Sequence, residues 1–435
     1  MMKPKLIVHR KEYLNALRVG WFLAIQHLRR SGKGTTSLIV FIMVLTFLNL
    51  VVVSGLLIGL ITGSFVQYRE SYSGDVIVTS AAGRDYIENS PALITFLESH
   101  PQVKAISPRY ARSVQILGTL NRNPNKNERP NQIGARLVGI DPAREEVVTG
   151  FSKFVRYGEP LLAGEEGYIL MGANLLKKYS SFADANIPGI DFLGEAEVGS
   201  RVRVIISRED GEPIVKDFIA KGIVKSKVDE ISTRFFVVDN DLKRLLPVNK
   251  EQLQEVAILT KDPAYATELV RQIKSFIGSY AARVQTSEEA IPSFLRDIET
   301  TMGVLGNALS SIALVVASIT IFIVIFINAV TKRKFIGIMK GIGISPLAIE
   351  FSYVFQAFFY GLTGSAIGLL LTFGFLRPYF QANPIDFPFS DGILVATPDG
   401  AAIRVAILLT ITIIAGYIPA KLIVRKNTLD SILGR

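Results

Sequence analysis

Cysteine is absent from the 435 residues, histidine occurs three times and tryptophan once. Without cysteine there is no disulfide, no thiol nucleophile and no thiolate zinc site. His9, His27 and His100 have no spacing that would bring two onto one metal ion, and they read as isolated side chains. Neither the nucleophile elbow GxSxG nor the metalloprotease pair HExxH occurs. Ser31-Gly32-Lys33-Gly34-Thr35-Thr36 has the look of a phosphate loop, which requires GxxxxGK followed directly by Ser or Thr after a strand. Here Gly34 follows the lysine and His27 stands at the first glycine position, so a flexible basic hinge is the better reading. Gly341-Ile342-Gly343 is likewise a broken dinucleotide fingerprint, with Pro346 at the third glycine. No carboxylate pair stands out as an acid/base couple. Nothing argues for an active site, and no metal or cofactor is expected on this chain.

Charge is missing too, but only in places. The chain is 49% hydrophobic and 20% charged, a balance that suits part of it to lipid and part to water. No charged residue occurs between Lys33 and Arg69, between Glu299 and Lys332, or between Glu350 and Arg377. A fourth apolar run, about Ala401–Ala420, carries only Arg404, near one end where it can snorkel. Each run supplies the roughly 20 apolar residues that a helix needs to cross a bilayer core. The first is too long, and too far from the start, for a cleaved signal peptide; it reads as an anchor. Asn49 and Asn328, isolated within spans, are expected to make interhelical hydrogen bonds.

The formal charge of +10 is concentrated beside these runs. Lys3, Lys5, Arg10, Lys11, Arg18, Arg29, Arg30 and Lys33 precede the first; Lys332, Arg333 and Lys334 follow the second; Lys421, Arg425 and Lys426 follow the fourth. The loop 377–400 instead carries Asp386, Asp391 and Asp399 with one arginine. The positive-inside bias therefore puts both termini in the cytoplasm. The expected fold class is an α-helical integral membrane protein with four transmembrane helices and a large α+β extracytoplasmic domain inserted between helices 1 and 2. The expected division is an N-terminal cytoplasmic segment with a membrane-proximal helix (1–36), helix 1 (37–62), the outer domain (63–300), helix 2 (301–331), a cytoplasmic loop (332–349), helix 3 (350–376), a short external loop (377–400), helix 4 (401–420) and a cytoplasmic tail (421–435).

Within the outer domain, Asp75–Val78, Arg201–Ile206, Val215–Ile219, Phe235–Val238 and Glu255–Leu259 read as strands, with a hairpin turn at Asp210-Gly211. Pro91–Glu98, Asn174–Tyr179 and Ala264–Ile277 read as helices, and Asn121–Asn131 as a polar exposed loop. Two lobes are expected, with no boundary legible.

Two features of the membrane part have functional weight. Gly55, Gly59 and Gly63 recur at intervals of four, as do Gly364 and Gly368, a spacing that lets helices approach closely in lipid. The loop 332–349 carries Arg333, Lys334, Ile336, Gly337, Met339, Lys340, Gly341, Ile342 and Gly343, with Ile336, Met339 and Ile342 expected on one helical face. A basic amphipathic segment of this kind lies on lipid or docks into a partner's groove, and composition does not choose between them.

The layout resembles the FtsX/MacB-like family of ABC transporter permeases: one span, a large outer domain, then three spans. The run Arg333–Ser345 resembles that family's coupling segment, with Phe335 where glutamate is usual. Tyr417-Ile418-Pro419-Ala420-Lys421 resembles the close of its last helix, although Thr428 stands where the tail usually has proline, and Ala24–Arg30 resembles the cytoplasmic helix leading into the first span. Leu137–Pro142, Gly167–Gly172 with Leu175-Leu176, and Val198–Val202 are similar to segments of the lipoprotein-releasing branch. The resemblance implies a permease subunit, not itself an enzyme, in a bacterial plasma (inner) membrane, with ATP and magnesium bound by a separate cytoplasmic ABC ATPase. It implies a second permease copy or paralogue, with a periplasmic adaptor or lipoprotein carrier as a further partner, and no nucleic acid. The implied function is mechanotransmission for lipoprotein release or for export of a drug, peptide or lipid. The alternative is a non-transporting regulator that mechanically activates a cell-wall hydrolase; the smaller outer domain of such members counts against it.

Overall fold

Among the described residues of the computed structural model, four helices are long and apolar enough to cross a membrane: Lys33–Ser73, Ser293–Thr331, Pro346–Ala382 and Pro398–Val424. The structure describes residues 4–30, 32–118, 131–180, 183, 191–207, 211–245, 252–278, 281–387 and 390–424. Residues 121–130 of the expected polar loop, Asp210 of the expected turn, and the tail from Arg425 lie outside the described residues.

The helices outrun the apolar stretches that locate them. The first has 41 residues, on the order of 60 Å at 1.5 Å per residue, about twice the thickness of a bilayer core. Backbone hydrogen bonds close within a helix whatever the side chains, so a change from apolar to polar residues does not end it. The third helix begins at Pro346, ahead of the expected 350, because Ser345 caps it by accepting from the Ala348 N–H and proline occupies the first turn. It also continues to Ala382, so the first residues of the expected external loop are helical. The short strands Ile385–Phe387 and Ser390–Gly392 follow.

The chain forms two units: residues 1–60, 297–385 and 392–435 in one, 61–296 and 386–391 in the other. In the membrane unit a buried core of Met43, Phe47, Ile325, Tyr353, Tyr360 and Leu408 joins the four spans. Close approach depends on small residues. Gly364 and Gly368 of the third span face Met43 and Phe47 of the first, and a Cβ on Gly416 would lie 2.5 Å from that of Ala357. The helix Pro4–Arg30 lies along the third span, where a Cβ on Gly20 would come within 2.8 Å of the Phe351 side chain and Trp21 meets Phe355 edge to face at 5.2 Å.

The outer unit is built on one mixed sheet. Its strands are β1 (Val76–Ser80), β2 (Val103–Leu117), β3 (Gln132–Ile140), β4 (Val155–Gly158), β5 (Tyr168–Gly172), β6 (Arg201–Ile206), β7 (Ile214–Val224), β8 (Arg234–Val238), β9 (Glu255–Thr260) and β10 (Ala282–Thr286). The order is β10-β1-β9-β2-β3-β8-β5-β7-β4, with β6 bridging β2 and β7. The first four are wholly antiparallel. With the helices Ser90–Ser99 after β1 and Ala266–Ile277 after β9, they form a split βαβ layer of ferredoxin-like connectivity. The strands β3 to β8 form a second lobe inserted between β2 and β9. This insertion is why no βαβ rhythm is legible along the chain.

Each lobe has its own apolar core. Val76, Val78, Leu93, Leu97, Ile258, Leu269 and Ile273 fill the first; Ile116, Leu137, Met171, Val202, Phe218 and Phe235 fill the second. The 15-residue β2 belongs to both, Ile106 to the first core and Ile116 to the second. One expectation fails here. Asn174–Tyr179 is not a helix, since only Ala173–Leu175 makes a single tight turn before Leu176 bridges to Leu193.

Candidate functional site: the joint at the end of the first span

The first long helix ends in Arg69-Glu70-Ser71-Tyr72-Ser73, a π-type turn, and passes through Gly74 and Asp75 into β1. Gly74 has φ +62°, and a Cβ there would lie 2.5 Å from the Ile258 carbonyl oxygen, so both its conformation and its space require glycine. Asp75 is buried; its carboxylate accepts from Arg69 Nε at 2.6 Å, from the Thr260 N–H at 2.8 Å and from Thr260 Oγ1 at 2.6 Å. The helix end is thereby tied to β9, two residues after the chain leaves it.

Tyr72 anchors the joint deeper. Its hydroxyl donates to Glu255 Oε2 at 2.8 Å, its carbonyl accepts from Arg109 Nη2 at 2.7 Å, and the guanidinium carbons of Arg109 and Arg234 lie 4.9 and 5.1 Å from its ring centroid. Arg234 Nη1 bonds both Glu255 oxygens, at 3.1 and 3.0 Å. Arg109 grips Glu145 in bidentate fashion, at 2.9 and 2.6 Å, and Ser107 and Thr149 complete the shell of that carboxylate. Arg109, Glu145 and Glu255 are all nearly inaccessible to solvent. Burial would raise the Glu255 carboxyl, but the charges of Arg234, Arg109 and Arg136 overcome it and hold its pKa at about 2. The charges are thus mutually neutralised and hydrogen-bonded, the condition under which buried ions persist. Arg109, Arg234 and Glu255 issue from β2, β8 and β9, and Glu145 from the helix Pro142–Thr149.

The second span starts next to this joint. Strand β10, which leads to it, pairs antiparallel with β1, Val76 opposite Thr286, and the Ser287 N–H donates to the Asp75 carbonyl at 2.9 Å. Thr286 and Glu289 close a capping box over the first turn beyond β10. Sequence reading did not find this joint. A polar cluster ending in Gly-Asp directly after an apolar run is a local signal, but Arg109, Glu145, Arg234 and Glu255 are distant in the chain and only the sheet assembles them.

The loop after the second span forms a helix, Arg333–Gly341, and corrects the expected face. Ile336 is 1% exposed and Met339 packs partly buried on the same core, whereas Ile342 is 73% exposed. The exposed apolar stripe is Phe335, Ile338 and Ile342, with Lys334 and Gly341 also exposed. Both stripes have helical spacing, and only packing shows which one the bundle takes. Gly337 is buried on the inner face of the helix, Lys340 Nζ donates to the Val424 carbonyl at the end of the fourth span, and Gly343 takes φ +94° in the turn before the third span; Arg333 is half-buried. The glycines of the first span differ from the expected helix–helix seam. Gly55 and Gly59 face the extended segment Ile393–Val395, with the Val395 N–H donating to the Gly55 carbonyl at 3.1 Å, and Gly63 faces Ser390 and Asp391. Gly364 and Gly368 do form such a seam. The carboxamide oxygen of Asn49 is buried without a hydrogen-bond partner among the described residues, so the expected interhelical bond is not made there.

Residues 307–428 match the family described as FtsX-like permease C-terminal. This is an FtsX-like permease domain. It takes in most of the second span, the loop helix and the last two spans. The chain is 22% identical over 342 residues to the lipoprotein-releasing system transmembrane protein LolC of Neisseria meningitidis serogroup B, covering 75% of this chain and 76% of that one. It is 26% identical over 171 residues to the ABC transporter permease YtrF of Bacillus subtilis, covering 36% of this chain and 37% of that one. Among solved structures, the periplasmic region of MacB from Actinobacillus actinomycetemcomitans is similar at a TM-score of 0.32 and 13% identity, over 50% of this chain and 90% of that one.

Proposed function

We propose that this permease transmits the closure of a cytoplasmic ATPase to its outer domain, and that the work done there is release of lipoproteins from the membrane. Both termini and the loop helix face the cytoplasm in this reading, and the outer unit faces the periplasm. ATP and magnesium are held by the ATPase, which docks on the stripe Phe335, Ile338 and Ile342, flanked by Lys334. A second permease, copy or paralogue, completes the membrane part, and a periplasmic carrier or adaptor receives the cargo. Lipoprotein is preferred over a drug, peptide or free lipid because the relative that shares three quarters of the chain bears that activity in its name.

One observation carries the mechanical part: two long spans continue into neighbouring, hydrogen-bonded strands, and the first is bound there by buried ion pairs. A displacement of either helix end must therefore move the sheet as a body, because its charges cannot separate without leaving an ion unpaired in the interior. A two-state assembly biased by nucleotide needs no polar path through lipid.

The test is co-purification of the partner ATPase from membranes, with ATP hydrolysis measured as lipoprotein is added. Phe335→Asp with Ile338→Asp should abolish co-purification while membrane insertion is kept. If the ATPase is still retained by that double variant, the docking assignment is wrong. If no lipoprotein stimulates hydrolysis by the intact complex, the cargo assignment falls.

A further inference from the structure

A cleft of about 880 Å³ opens in the outer unit, between the end of the first long helix and the corner where β4 meets β7. Gln67, Glu70 and Ser71 line it from the helix, and Asp386 and Asp391 from the segment between the third and fourth spans. On a helix rising 1.5 Å per residue, Gln67 stands about 8 Å beyond residue 62, where the apolar stretch gives out. That is the depth of lipid headgroups, which occupy the roughly 5–8 Å outside each side of the hydrocarbon core.

The facing corner is basic. The Lys225 N–H donates to the Phe154 carbonyl at 2.9 Å, and Val155 pairs with Val224, so Lys153, Arg156 and Lys225 issue from one short piece of backbone. All three are exposed. Arg156 and Lys225 make no ion pair among the described residues, and Lys153 has only the Phe154 ring, 5.0 Å away. The acidic residues of the cleft are otherwise engaged: Lys227 bonds both Asp386 and Asp391 at 2.5 Å, and Gln67 donates to Asp391 at 2.8 Å. Glu70 remains, on the opposite wall. Lys227 is shared between the two aspartates and the charge of Lys225 also acts on Asp386, so four cations face three carboxylates and the cleft keeps an excess of one positive charge, which matches the single negative charge of a phosphate diester.

We propose that this cleft binds a phosphate-bearing headgroup of net negative charge, one whose phosphate is not balanced by a choline or amine, through Lys153, Arg156 and Lys225. The proposal does not depend on the cargo or on the ATPase. Because the chain has no cysteine, Asn174→Cys in the cleft wall takes a single environment-sensitive fluorophore. The labelled full chain is placed in phosphatidylcholine nanodiscs, and phosphatidylglycerol is raised stepwise. The expected result is a saturable spectral shift whose apparent affinity falls about fivefold per cation removed, on the order of a hundredfold in Lys153→Ser/Arg156→Ser/Lys225→Ser. Lys104→Ser/Arg201→Ser/Arg283→Ser, which removes the same charge elsewhere on the outer unit, should keep the shift. Inorganic phosphate added to pure phosphatidylcholine discs separates the sources: a shift there assigns the site to a free anion, and its absence assigns it to lipid. No shift with either probe, a shift that survives the cleft triple variant, or one lost equally in the control triple variant overturns the proposal.

Discussion

The membrane unit and the outer unit are held together by opposite means. In the membrane unit side chains are removed to let backbones approach: glycine lies against Met43, Phe47, Ala357 and Phe351, and the outward face stays apolar. In the outer unit two apolar cores cover a sheet, and the space between them is filled by arginine, glutamate and tyrosine in mutual contact. The surroundings account for the contrast. Lipid tails are as apolar as leucine, so packing in a bilayer gains from closeness rather than from leaving water. The outer unit gains from burial, and can hold ions inside only where each is paired.

Breaking the ionic joint should have the largest effect. Arg234→Met leaves Glu255 buried with one strong partner fewer and should destabilise the outer unit by about 3–5 kcal/mol. Loss of the β-sheet signal in circular dichroism would report it, while fluorescence of the single Trp21, packed on Phe355, would follow the membrane unit and stay unchanged. If both signals fall together, the two units do not melt separately and the contrast is overdrawn. Acid should act on the same joint. Glu255 titrates lower folded than unfolded, at about 2 against an ordinary 4.5; its contribution is complete above pH 4.5 and drains away as pH falls toward 2. Hydrogen exchange of β9 should accelerate over that window, and Glu255→Gln should flatten the response.

In the membrane unit, Gly364→Val should cost about 1–3 kcal/mol, because the first added carbon meets Met43, whose carbonyl carbon is 3.1 Å from it. Here Trp21 fluorescence should report the change and the sheet signal should not. The smallest effect is expected at Arg203 and Asp217, an ion pair on the face of β6 and β7 with both side chains about a third exposed. Arg203→Ala should leave both melting transitions where they were, since solvent already screens that pair; a clear shift would mean that surface charge does more here than buried charge logic allows.

What was readable in advance follows from locality. The four spans, the strand Phe235–Val238 and the helix over Leu269, Ile273 and Ile277 are each decided by neighbouring residues, through apolar length or periodicity. The end of the Asn174 turn, the choice between the two apolar stripes of the loop helix and the partner of Gly55 and Gly59 are decided by segments remote in the chain. Ile336 and Phe335 are both apolar; one is inside because it packs in the core with Ile325 and Val424, while the other stays outside, covered by none of the described residues.

By itself the amino-acid sequence determined that this protein has four apolar helices, a basic side, and a large domain inserted after the first, because hydropathy and charge act residue by residue. Only the tertiary structure decided that β1 and β10 are neighbours, that β2 threads two cores, and that Tyr72, Arg109, Arg234 and Glu255 meet. Tyr72 and Glu255, 183 positions apart, become partners only when the sheet closes, since a charge has no preferred distant partner until burial removes water as the alternative.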